Sequence, residues 1–148
     1  MKNMMPKYFI SSLTLALAVS AFAAESSTKE QFESHGHTLN ATITKNHAEA
    51  EALRGISVET GVPVERVQAL HHKYSKATPA GTLIACVLAD NTKQDPETYV
   101  KKFVNGKNWA VAAKENNVPY EKIDERLTRV EDYIKNGGNQ RPVKQRKK

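Results

Sequence analysis

Gly61-Val62-Pro63-Val64-Glu65-Arg66-Val67 decides how this chain folds, and Asn117-Val118-Pro119-Tyr120-Glu121-Lys122-Ile123 repeats its logic 56 residues later. Each stretch reads as the corner between two helices. Gly61 and Asn117 are residues that tolerate the left-handed φ with which helices commonly end. Val62 and Val118 follow as apolar contacts across the corner. Pro63 and Pro119 sit where the first N–H of the next helix would have no intrahelical partner in any case. Glu65 and Glu121 fall in the first turn, where the helix dipole favours a carboxylate. Val67 and Ile123 open the buried face of the second helix. A true duplication and the shared chemistry of a helical corner both account for the echo.

Working outward, residues 1–23 have the form of a secretory signal peptide. Lys2 and Lys7 precede an apolar run from Phe9 to Phe22, and Ala21-Phe22-Ala23 is a small-x-small cleavage site. The chain is therefore expected to be exported, periplasmic or secreted. No transmembrane segment is expected after cleavage, since no later run approaches the ~20 apolar residues a span needs. Residues 24–45 are polar with scattered apolar positions and are expected to form a flexible leader. Residues 46–136 are expected to form one helical domain, and residues 137–148 a disordered basic tail.

Charge is unevenly shared. The whole chain carries +6 at pH 7. Loss of Lys2 and Lys7 leaves +4; the last eight residues hold +5 in Arg141, Lys144, Arg146, Lys147 and Lys148, so residues 24–140 carry −1. The basic pI thus belongs to the two ends. The tail cations are the candidate contact with an anionic surface such as lipid headgroups or an acidic envelope polymer. The single cysteine, Cys86, excludes an internal disulfide, and its setting in Leu83-Ile84-Ala85-Cys86-Val87-Leu88-Ala89 is that of a small buried residue.

The periodicity predicts an all-α fold, a small compact bundle of about six helices. The first helix is expected from Asn46, as its cap, to Thr60, with apolar positions at Ala48, Ala52, Leu53, Ile56 and Val58. The second runs from Pro63 to about Lys76, with Val64, Val67, Leu70, His71 and Tyr74 inward. His71 is expected to be packed and hydrogen-bonded. Thr78-Pro79 is a cap and first-turn pair that opens a helix to Asp90, apolar nearly all round and hence central. Asp95-Pro96-Glu97 opens the next, with Tyr99, Val100, Phe103 and Val104 inward. A short helix starts at Trp109. The last runs to about Lys135 through Tyr120, Ile123, Leu127, Val130 and Ile134. Gly61, Pro63, Trp109 and Pro119 are the expected structural positions, with Trp109 the large aromatic of the core.

Ile56 to Val67, and Gly106 through Ile123, resemble the helix-turn-helix units of DNA-binding proteins, over 12 and 18 residues. That resemblance implies base-facing residues at Val64, Glu65, Arg66, Gln68 and Ala69, and at Tyr120, Glu121, Lys122, Asp124 and Glu125. The second set carries three acids where phosphate contacts want cations, and the body is nearly neutral; both argue against nucleic acid as the partner. His35-Gly36-His37 is a candidate weak metal pair. No nucleophile elbow, phosphate loop or zinc-protease motif is present, so neither an enzymatic activity nor a cofactor is expected. The reading is an exported interaction module with a basic tail. Polyanion or DNA binding through a helical corner is the first alternative, and metal handling through His35 and His37 the second.

Overall fold

The structure is a computed structural model. It describes residues 14–138, with side chains from Glu25 onward. Among the described residues there are seven α-helices and no strand: α1 Thr14–Asn46, α2 Glu49–Thr60, α3 Val64–Lys73, α4 Pro79–Thr92, α5 Pro96–Val104, α6 Trp109–Glu115 and α7 Tyr120–Lys135. The all-α class is as expected. The count rises from about six to seven because the expected flexible leader is a helix.

That correction has a physical reason. Phe32, Gly36, Leu39 and Ile43 are spaced four, three and four residues apart and all are buried. They make one stripe on residues 25–46 of the helix, whose other faces are polar. One position of the stripe is a glycine, which thins the apolar signal. α1 does not run into α2, because His47 takes a left-handed φ of 52° and the Ala48 N–H closes back on the Ile43 carbonyl at 3.0 Å. Asn46 therefore ends α1 and does not cap α2. Val58, one of the apolar positions of that helix, is 53% exposed.

α4 is the axle. Every residue from Ala80 to Ala89 is buried, and the helix touches all six others. Its first turn is satisfied twice: the Gly81 N–H donates to Thr78 Oγ1 at 3.1 Å, and the Ala80 N–H donates to Asn40 Oδ1 of α1 at 2.9 Å. Asp95 caps α5 by accepting from the Glu97 N–H at 2.8 Å.

Both corners form as expected, with one shift. Gly61 has φ 73° and Asn117 φ 54°. Pro63 and Pro119 lie at the cap rather than one place inside the helix. The corners close differently: the Gly61 N–H reaches Ser57 O, whereas the Val118 N–H reaches Ala113 O five residues back.

The first and last helices run side by side in the same direction. Phe32 stacks on Tyr120 at 5.5 Å between ring centroids, His35 meets Asp124, and Thr42 and Asn46 share a cleft with Ile134 and Gly137. Parallel neighbours need a long return path, and α2 to α6 supply it while enclosing α4.

Candidate interaction surfaces

The sequence pairs His35 with His37, but the helix parts them. Two residues along an α-helix lie about 200° apart around the axis. His35 turns towards α7, with Nδ1 2.6 Å from Asp124 Oδ1 and Nε2 3.3 Å from Glu131 Oε2. His37 stacks on Trp109 with ring centroids 4.9 Å apart. The pair therefore does not converge on one point, and no group of three or more metal-type side chains able to hold an ion occurs among the described residues.

Trp109 is half-buried rather than a core residue. Its indole packs close against α1 at Gly36: a Cβ at position 36 would stand 2.6 Å from Trp109 Cζ3. The other side of the notch is Gly81 of α4, where a Cβ would meet Trp109 Nε1 at 3.4 Å. Sequence reasoning placed Gly36 only as a spacer between two histidines. The signal that marks it is its register in the Phe32–Ile43 stripe.

The residues that the helix-turn-helix resemblance brings forward do not form one open face. In α3, Val64 and Gln68 are half-buried, and Arg66 pairs with Asp95. In α7, Tyr120 is stacked on Phe32, Asp124 holds His35, and Lys122 donates to Asn91 Oδ1 at 2.6 Å. Glu65, Ala69, Glu121 and Glu125 are exposed, and Glu125 pairs with Arg129 one turn on at 3.8 Å.

The body neutralises much of its own charge, between helices and within them. Glu59 of α2 accepts from Arg126 Nη1 at 2.6 Å and from Arg129 Nε at 2.7 Å. Glu97 of α5 accepts from Lys73 at 2.8 Å and from the Tyr74 hydroxyl, and pairs with Lys101 at 3.3 Å. Those bonds, that from Lys73 first, hold its carboxyl down to about 2. Lys107 pairs with Glu115, Lys114 with Glu25, and Lys135 with Glu131. The Lys135 hydrogen bond, ahead of that from His35, also lowers the Glu131 carboxyl.

His71 is not hydrogen-bonded as expected. Its Nε2 lies 3.5 Å from Glu49 Oε1, and its buried Nδ1 has no partner. Cys86 is buried, and burial pushes its thiol up to about 12, so it is protonated and shielded.

Two adjoining clefts border the second corner. One, of about 260 Å³, is lined by Glu25, Ser26, Lys29, Val111, Lys114 and Tyr120. The other, of about 490 Å³, shares Glu25, Lys114 and Tyr120 and adds Thr28, Asn117, Val118, Pro119 and Glu121. Val111 is 40% exposed at the first. The α1 wall of both comes from residues 25–29. No helix among the described residues is long and apolar enough to cross a membrane. Residues 1–13 of the expected signal peptide, and Arg141, Lys144, Arg146, Lys147 and Lys148 of the tail, lie outside the described residues.

Comparison with known proteins finds no match: no family model, no curated protein and no solved structure resembles the chain.

Proposed function

We propose that this protein is exported and acts as a non-enzymatic interaction module in the envelope or outside it, held to an anionic surface by Arg141, Lys144, Arg146, Lys147 and Lys148. The observation that carries this reading is the segregation of charge. In the helical body, cations are tied to carboxylates across helix pairs, as in Arg126 and Arg129 on Glu59 and Lys73 on Glu97, and within a helix, as in Lys101 on Glu97. The densest cationic stretch of the chain lies in its last eight residues, with no acid among them. Near an anionic lipid surface each such cation contributes about 1 kcal/mol, so five give a weak, reversible hold suited to an accessory contact.

Co-sedimentation with phosphatidylglycerol vesicles tests it. Raising salt from about 0.1 M to about 1 M shortens the Debye length from about 10 Å to about 3 Å. The whole chain is expected to sediment at the lower salt and to be released at the higher. A chain ending at Gly138 is expected to stay in the supernatant at both, and to melt at the same temperature as the whole chain. Undiminished sedimentation of the shortened chain would remove the tail from the function.

A further inference from the structure

Helix α1 passes without interruption through the small-residue site that the export reading assigns for cleavage. It begins at Thr14, so Ala21, Phe22 and Ala23 lie in its third turn and the bond after Ala23 is helical. In that geometry the Ala23 carbonyl accepts from the Ser27 N–H, and the coiled chain offers no extended strand for a peptidase to bind. The closed fold also holds the helix just beyond the bond. Glu25 Oε1 accepts from Lys114 Nζ of α6 at 2.6 Å, and two turns further on Phe32, fully buried, is stacked on Tyr120 of α7.

The sequence beyond the bond contains a second helix start. Ser27-Thr28-Lys29-Glu30 is a capping box, in which the Ser27 hydroxyl serves the Glu30 N–H and the Glu30 carboxylate serves the Ser27 N–H. In the uncut chain Ser27 lies inside α1 and has no capping role. A chain that begins at Ala24 has that box within its first turn.

We propose that folding and processing of this chain are ordered: closure of α1 on α6 and α7 shields the Ala23–Ala24 bond, so cleavage precedes closure, and the cut chain restarts α1 at the Ser27–Glu30 capping box. This rests on reading residues 1–23 as a cleavable signal. Its consequence for the surface is direct, because the α1 wall of both clefts at the second corner is the segment that processing leaves at the new terminus.

The test is digestion of the purified 148-residue chain in mild detergent with a bacterial signal peptidase, read by mass spectrometry. Ser26→Pro breaks the helix ahead of residue 26 and spares both the capping box and Phe32. Phe32→Asp prevents closure altogether. Cutting at Ala23–Ala24 is expected to be at least tenfold faster in both variants than in the folded wild-type chain, with Ser26→Pro keeping the wild-type melting temperature. Equal rates in all three chains would overturn the ordering and leave the signal reading intact. No cutting in any of them would overturn the signal reading itself, and the ordering with it. Ser27→Ala supplies an independent readout. It is expected to lower the melting temperature of the cut product but not of the uncut chain; an equal change in both would overturn the restart at Ser27.

Discussion

At the residue scale the position with most at stake is Gly36. Alanine there gains about 1 kcal/mol of helix propensity, but its Cβ meets an indole confined between His37 and Gly81. Overpacking of that kind costs about 1–3 kcal/mol. Gly36→Ala is therefore expected to lower the melting temperature, and to raise it when Trp109 is also shortened to leucine. Both measurements are thermal denaturation followed by circular dichroism. Tyr99 gives a cleaner polar case. It is fully buried, its hydroxyl lies 2.9 Å from Asn116 Oδ1 and 3.0 Å from Thr92 Oγ1, and it joins α5 to α4 and α6. Tyr99→Phe is expected to destabilise the fold by about 1 kcal/mol in urea titration, without changing the slope.

At the element scale, α1 separates what the sequence states from what it conceals. The two corners, the axle helix and the stripe of α7 were legible because their residues carry strong local signals. Thr78-Pro79 and Asp95-Pro96 announce helix starts, and Ile123, Leu127, Val130 and Ile134 repeat at helical spacing. Among its residues from Glu25 on, α1 has three buried apolar residues in a polar stretch, and its fourth contact is a glycine filled by an indole from another helix. Only the partner makes such a stripe apolar, so no window of α1 alone reveals it. The same holds for His35, whose carboxylate partners lie 89 and 96 residues away. If α1 is part of the core, Phe32→Ala costs about 3–5 kcal/mol; a free leader would cost nothing. The α3–α5 tie makes a pH prediction. Folding lowers the Glu97 carboxyl, so its contribution is complete above the unfolded carboxylate range, about 4.3. That contribution is lost as pH falls through about 2. The melting-temperature gap between wild type and Glu97→Gln is expected to be widest above pH ~5 and to close on acidification.

At the scale of the whole molecule, α4 leaves Cys86 no route to the surface short of unfolding. A thiol reagent at neutral pH is expected to label it only at the rate of global opening, and no disulfide-linked dimer is expected on non-reducing gels. Labelling as fast as that of a small-molecule thiol would show that α4 is uncovered in solution. The parallel pairing of α1 with α7 reaches further. The contacts that close the bundle join residues from opposite ends of the chain, so loop closure must be paid for before they form. A nascent chain that has released α1 through α6 lacks α7, on whose Tyr120 Phe32 stacks. Its α2 to α6 can gather on α4, but the face of α1 that meets α7 stays uncovered until the last 33 residues arrive. A ribosome-tethered series of increasing length should gain protease resistance across α1 only after α7 has emerged.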